Sequence, residues 1–467
     1  MMTTSLPDVL ALLGDPTSLD RQPSLRVEEA VDHPAIAAYR ALRQQVFVEE
    51  QGLFDGHDLD DFDSDPRTIV LVARDRSGSV VGGVRLHPAL DCVDGWWIGG
   101  RLVVRRDSRG PAGIGAALVR AACARAETAG ALRFEATIQA RNLPLFARLG
   151  WQQIRPVTVA ATPHILVRWP IKRFEKLAGA TKSPLGALLG QFFPASEGFR
   201  GDDGAPVPGS DLVAACDAIL PSMVERDPEW AGWCSVLVNV NDLSAMGATP
   251  VGLLDALGAR DQSFAARVLS GLRKASQAYR TPVLGGHTQL GVPASLAVTA
   301  LGQAADPVPG GGGRIGQRVR LTADLGGEWR PGYAGMQWDS SSHRTSEELT
   351  TMLAAVRTAR PAAAKDVSMA GVVGTLGMLA EASGCGAILD VARIPRPAAA
   401  SAGDWLACFP GFAMLTADEA GQPGLPAGPA ASVECGELVP ATGVRLRWPD
   451  GELTEAVAGP VTGLGRA

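Results

Sequence analysis

Five aspartates in the second half of the chain stand beside glycine or at the ends of apolar runs. They are Asp202 and Asp203 in GFRGDDGAPVPGS, Asp217 in DLVAACDAIL, Asp242 in SVLVNVNDLSAMGATP and Asp366 in KDVSMAG. Singly, each is accounted for as a turn or cap residue. As a set they suit a hard cation such as Mg2+, which takes oxygen ligands from a few carboxylates and from substrate phosphates. Asn241, beside Asp242, reads either as a helix cap or as an amide in a ligand pocket that the small residues LSAMGATP leave open. A second chemical feature lies earlier, where RLVVRR enters the turn RGPAGIG (Arg109 to Gly115) and continues as the helical pattern IGAALVRAACARAETAG. A helix start presents free N–H groups and a positive dipole end to an anion. Gly113 and Gly115, lacking Cβ, allow close approach. A pyrophosphate is the natural ligand; a purely structural turn is the other reading.

The elements that must position these residues follow from periodicity. TIVLVARD, VVGGVRLHP and WWIGGRLVVRRD read as strands of a first half, with the long helix after them. In the second half DLVAACDAIL, SVLVNVN, ASLAVTALG and RVRLTADL read as strands, and QSFAARVLSGLRKASQAY, SEELTTMLAAVRTAR and VVGTLGMLAEASG as helices. Gly, Pro and Ala crowd residues 172–210, which places a seam there. The patch PVPGGGGRIGQ lacks the Lys-Ser/Thr of a P-loop and reads as a linker between two lobes.

With 467 residues the chain holds about two to four domains. A net charge of −6 without a block of Lys or Arg gives no nucleic-acid footprint. No apolar run reaches the about 20 residues needed to cross a bilayer. The start MMTTSLPDVLALLGD lacks a signal-peptide pattern, so a cytoplasmic location is expected. The seven cysteines form no C-x-x-C pair, and neither G-x-S-x-G nor H-E-x-x-H occurs.

Three ordered motifs in residues 25–170 carry a family resemblance: YRALRQQVFVEEQG with DDFDSD, then RGPAGIG, then QARNLPLFARLGW. This region resembles the GNAT acyltransferases. The resemblance implies a mixed, mainly antiparallel sheet flanked by helices. It also implies acetyl-CoA as cofactor, its pyrophosphate held by Arg109, Gly110, Gly113, Ile114 and Gly115. Glu49, Glu50, Asp60, Asp61 and Glu135 are candidate bases, and Glu49, Glu135 and Asn142 form the expected catalytic set. Two departures stand out. The loop carries one extra residue and Pro111, which has no N–H to offer. Phe146 stands where many members place a tyrosine that protonates the leaving thiolate.

From about 198 to 400, GDDGA, ACD, NDLSAMGATP, GGHT and DVSMAGVVGTLGMLAEASG occur in order. They resemble the AIR-synthase-like ATP-binding superfamily, whose members include aminoimidazole ribonucleotide synthetase, thiamine-monophosphate kinase and selenophosphate synthetase. The resemblance implies a two-lobed α+β (PurM-like) domain that pairs as a homodimer. Asp202, Asp203, Asp217, Asp242 and Asp366 would hold Mg2+; Asn241, Gly286, His287 and Thr288 would contact ATP. Gly247 and Ala248 would let a following helix pack closely. No reactive cysteine precedes the acidic motif and Lys182 stands in an unmatched context, so selenide chemistry is not expected. The expected division is 1–172 acyltransferase, 173–197 linker, 198–310 first lobe and 311–467 second lobe. The fusion resembles proteins associated with bacterial nitrilase gene clusters, which implies a small amine or other nitrogenous substrate on which the two activities act in sequence. The alternative is a sensing or scaffold module that binds acyl-CoA or nucleotide without turnover.

Overall fold

The computed structural model describes residues 25–90, 94–110, 113–192 and 198–467. Pro111, on which one expectation rests, lies outside these, as do Cys92 and residues 193–197. The chain forms two compact units that divide between Ile171 and Lys172.

The first unit is one seven-stranded sheet, β1 (Arg26–Glu29), β2 (Ile69–Arg74), β3 (Val80–Pro88), β4 (Trp96–Val104), β5 (Arg133–Gln139), β6 (Gln152–Val159) and β7 (Thr162–Trp169), in the order β1-β2-β3-β4-β5-β7-β6. Every pairing is antiparallel except β4 with β5. The helix Ile114–Thr128 buries Ile114, Leu118, Ala122 and Ala126, a spacing of four that lays one stripe on the sheet. The helix His33–Arg43 is capped by Asp32, which accepts from the Ala35 N–H at 2.7 Å. It runs straight into a wider π-helical turn, Gln44–Glu50.

β4 and β5 pair only from Trp96–Gly99 to Arg133–Ala136, yet β4 runs on to Val104 and β5 to Gln139. Beyond Gly99 the strands therefore part. The cause lies in β4, where Gly83 faces Val103 but Arg85 faces Gly100, so Arg101 and Leu102 bulge out of register. Arg101 takes a left-handed φ of 54°, a costly conformation for a residue other than glycine. Its carbonyl accepts from the Tyr39 hydroxyl at 2.8 Å and its guanidinium reaches Asp58 O and Asp60 Oδ2, both at 3.0 Å, which fixes the bulge.

The first lobe of the second unit is a five-stranded sheet, β8 (Ala205–Pro206), β9 (Leu212–Ile219), β10 (Thr249–Ala259), β11 (Val283–Leu290) and β12 (Ser295–Gln303), ordered β11-β10-β12-β9-β8. The helices Pro228–Ala245 and Gln262–Ala278 cover one face. SVLVNVN, expected as a strand, lies inside the first of these helices. That helix is buried almost all round, so its apolar run carries no face-to-face alternation from which its period could be read. Gly247, with φ of 67°, ends it in the left-handed turn typical of helix ends. The segment after Gly247 and Ala248 is strand β10 rather than the expected helix.

The second lobe is a seven-stranded sheet ordered Ala363–Asp366, Ala413–Asp418, Arg318–Ala323, Ala431–Val439, Gly386–Asp390, Val444–Arg447, Leu453–Val457. Leu243 and Met246 of the first lobe share a core with Leu349, Val356 and Met414 of the second, so the lobes hold each other in place. Residues 173–192, expected as linker, instead form helices Arg173–Thr181 and Leu185–Leu189. Phe174 and Ala178, four apart, are buried, and the Gly186 N–H donates to Thr462 O at 2.7 Å. The six described cysteines are unpaired thiols, all buried except Cys216. Among the described residues, no helix is long and apolar enough to cross a membrane.

Candidate active sites

In the second unit, Asp203 lies just before β8, Asp242 in the last turn of helix Pro228–Ala245, and Asp366 at the end of strand Ala363–Asp366. One carboxylate oxygen from each lies within 4.8 Å of the others. The backbone sets this arrangement, since the Asp366 N–H donates to Asp203 Oδ2 at 2.9 Å. Lys365 Nζ reaches Asp203 Oδ1 at 2.8 Å, Asp202 Oδ1 at 3.1 Å and Gly201 O at 3.2 Å. Burial works against the lysine's charge, but Asp202 and Asp203 outweigh it and raise its pKa above the ordinary value.

Asp202, expected as a metal ligand, lies outside the converging group: it shares Lys365 with Asp203 and accepts from the Gly310 N–H at 2.6 Å. The glycine patch read as a linker is thus part of the site's support. A Cβ at Gly310 would sit 2.6 Å from Asp202 Oδ1 and 2.9 Å from Lys365 Cε.

Burial, then the neighbouring carboxylates, push the pKa of Asp242 well above its usual range, and Lys365 offsets only part of this. Asp366 is raised for the same reasons, with Asp203 and Asp217 as the carboxylates acting on it. Crowded oxygen donors short of positive charge fit a hard divalent cation. Asp217, on β9, counts as surface-exposed, yet protein packed around its carboxyl, with Asp203, raises its pKa while Lys182 opposes. It borders the cluster as a fourth acidic group.

Two expectations for the nucleotide contacts are corrected. Adjacent helical residues point about 100° apart, and Asn241 is buried away from Asp242, its Nδ2 donating to Gly411 O at 3.1 Å. It ties the helix to the second lobe. Gly286, His287 and Thr288 sit on β11, an edge strand exposed along its length. Asp217, Val298, Asp255 and Gly286 form one row across the sheet. Three strand spacings, about 14 Å, separate the ends of that row. Within one chain the GGHT segment does not join the aspartates.

In the first unit, a groove of about 1250 Å³ opens where β4 and β5 part. Arg109, Gly110, Gly113, Ile114 and Gly115 all line it, together with Glu50, Asn142 and Phe146. Arg109 is held by Val104 O (Nε, 2.8 Å) and Glu50 Oε2 (Nη2, 2.8 Å). That hydrogen bond lowers the Glu50 pKa. Gly113, with φ of 65°, caps the helix Ile114–Thr128. The groove meets a second cavity of about 430 Å³, the two sharing Phe47, Leu53, Leu102, Gln139, Asn142 and Phe146.

The expected carboxylates separate clearly. Glu135 is buried and bound by Arg168 Nε at 2.9 Å, Arg133 at 3.0 Å and Trp96 Nε1 at 3.1 Å, so it is a structural ion-pair centre and lines neither cavity. Glu49 and Asp61 are exposed and line neither. Asp60 lines the second cavity; burial raises its pKa, but Arg85 and Arg101 outweigh this and keep it a carboxylate. Sequence reasoning missed Lys365, although a lone lysine in the apolar run PAAAKDV is a visible signal.

Residues 66–153 match the acetyltransferase (GNAT) domain, 201–304 the AIR synthase related protein N-terminal domain and 315–427 the corresponding C-terminal domain. An uncharacterised protein of Synechocystis, sll0787, is 38% identical over 225 residues, 46% of this chain and 69% of that protein. A thiamine-monophosphate kinase of Halobacterium salinarum is 30% identical over 206 residues, 42% of this chain and 69% of that protein. The structure of T. maritima PurL complexed with ATP superposes with a TM-score of 0.51 at 17% identity, covering 64% of this chain and 53% of that one, a likeness of fold. The chain belongs to the AIR synthase related family through its second unit and carries a GNAT acetyltransferase domain before it in sequence.

Proposed function

We propose a bifunctional enzyme: an acetyl-CoA-dependent N-acetyltransferase joined to a unit that uses ATP and Mg2+ to phosphorylate a small nitrogenous metabolite. The observation that carries the second activity is the convergence of Asp203, Asp242 and Asp366. Mg2+ held there supplies charge neutralisation for a triphosphate, the main requirement of phosphoryl transfer. Lys365 holds Asp203 in place, and Asp217 extends the acidic rim. The name of the Halobacterium relative, a thiamine-monophosphate kinase, supports phosphoryl transfer as the reaction class.

For the first activity the support is the parted pair β4 and β5. Their unpaired backbone groups offer hydrogen bonds to an extended ligand, as sheet edges do for peptides. The glycine turn and Arg109 at one end of the groove suit the anionic end of such a ligand, as pyrophosphate-bearing acetyl-CoA would present.

The second unit pairs with a second copy. Leu254 (40% exposed) and Leu284 (56%) lie open on its first-lobe sheet, whose other face is covered by helices. An apolar face of this kind is the usual mark of an interface. Pairing there would also bring the edge segment Gly286–Thr288 beside another chain. Titration calorimetry of the full chain with acetyl-CoA and with Mg-ATP, followed by turnover with mixed amines, tests the reading: both ligands bind and both are consumed. Phe146 favours one alternative for the first unit, binding without turnover, and ligand binding with no released CoA would support it.

A further inference from the structure

The acyltransferase reading leaves two needs unmet. Something must take the proton that the attacking amine sheds, and Phe146 cannot return one to the departing thiolate. Glu135 and Glu49 are unavailable by placement, both carboxylate oxygens of Glu50 are held by Arg109, and Asp60 is saturated by Arg85 (2.6 and 2.8 Å) and Arg101 (3.0 Å).

His164 is a buried imidazole on β7 that lines the second cavity. Its Nδ1 lies 2.8 Å from Thr162 O. A carbonyl only accepts, so Nδ1 carries the proton and Nε2 keeps its lone pair. The hydrogen bond to Thr162 O is the side-chain bond His164 makes among the described residues. His164 is the cross-strand partner of Gln139, and such partners share a face about 5 Å apart. Gln139 lines both groove and cavity, and the neighbours of His164, Thr162 and Pro163, line the groove. The imidazole therefore stands where the two spaces meet.

The cavity also bears on the acceptor. Phe54, Phe62, Ile98 and Trp151 contribute apolar wall. Asp60, the one carboxylate lining it among the described residues, is spent on arginines. Among the described residues nothing there would hold a polycation.

The geometry points to His164 as the catalytic base and acid for acetyl transfer to an apolar primary amine seated in the second cavity, an inference that rests on the acyltransferase reading above. The neutral amine attacks the thioester carbonyl carbon, forming a C–N bond as the C–S bond breaks. The proton shed by nitrogen passes to His164 Nε2 and then to the thiolate sulfur, leaving an amide and the CoA thiol. One residue thus serves both steps.

The test uses the full chain, acetyl-CoA, and 2-phenylethylamine and spermidine as probe amines, following CoA thiol release. The expected result is release with 2-phenylethylamine and little with spermidine. His164→Ala then binds acetyl-CoA within about twofold of the unaltered chain, while kcat falls about a hundredfold and added imidazole restores it at least in part. His164→Gln, which keeps the side chain's bulk, loses kcat in the same way and covers the case in which the alanine variant does not fold. Three outcomes overturn the assignment: an unchanged kcat in both variants, loss without imidazole rescue in a variant that still binds acetyl-CoA, or no release with 2-phenylethylamine although acetyl-CoA binds. Failure of the unaltered chain to bind acetyl-CoA would instead remove the acyltransferase reading itself.

Discussion

The charged groups of the two units are arranged on opposite plans. In the first unit Arg43, Arg85 and Arg101 interleave with Asp58, Asp60 and Asp63, with Arg43 Nε 2.7 Å from Asp58 Oδ2 and Arg85 Nη1 2.6 Å from Asp60 Oδ1. Each of these carboxylates has its guanidinium. In the second unit Asp242 and Asp366 are just as buried, and the nearby Lys365 is already shared between Asp202 and Asp203. The first plan is complete as folded and supports a strained bulge beside a cavity. The second carries more negative charge than the protein balances, which is what a cation site needs. Buried charge alone therefore does not mark a functional site; the imbalance does.

The sharpest way to break this comparison is to unbalance the complete cluster. Among the described residues, Arg43→Met leaves buried Asp58 with Arg101 alone (3.3 Å) and Asp63 with Arg85 alone (2.9 Å). It should cost about 3 kcal/mol, the low end for a broken buried pair, seen as earlier urea unfolding of the first unit. Removing a carboxylate from the unbalanced cluster should do the reverse for stability. Asp366→Asn should raise the melting temperature of the metal-free chain while weakening Mg2+-dependent nucleotide binding by about a hundredfold or more, since even residues behind a metal's ligands cost 10–100-fold. Calorimetry and thermal melts read the two effects separately.

The same contrast gives a pH dependence with a defined sign. Asp242 and Asp366 titrate higher in the folded chain than unfolded, so the folded state binds the extra protons. Without metal, stability should rise as pH falls through their raised pKa values toward the ordinary carboxylate range. Saturating Mg2+ should flatten that slope, because the ion competes with the protons. Thermal melts in EDTA and in Mg2+ across that range measure both. The smallest effect is expected at the exposed rim of the first unit. Arg109→Gln removes one solvent-screened contact and should weaken acetyl-CoA binding by about tenfold, or about 1.4 kcal/mol, with little change in melting temperature.

How much was legible in the sequence differs between the same two regions. The helix Ile114–Thr128 and strand β4 were readable because one face is more buried than the other, so the period survives in the residue types. Strands β2 and β3, buried on both faces, were readable as short apolar runs rich in β-branched residues. Val236 to Val240 defeated that reasoning, since a helix buried on most sides looks like a core strand. Asp203, Asp242 and Asp366 were found as a set, but Asp202 could not be told from Asp203 by type, because both hold Lys365 and the Gly310 contact sets Asp202 apart. Glu135 misled for a related reason: the arginines that consume it, Arg133 and Arg168, stand within the strand and across the sheet. His164 left no trace in the motifs, since its placement depends on the β5–β7 register.

The most direct test of the central claim, that three aspartates converge to hold a divalent ion, is an electron paramagnetic resonance titration of the full chain with Mn2+, with and without ATP. A saturable Mn2+ signal that ATP strengthens and Asp242→Asn abolishes is the predicted result. Mn2+ binding of equal affinity in the Asp242→Asn variant would contradict it.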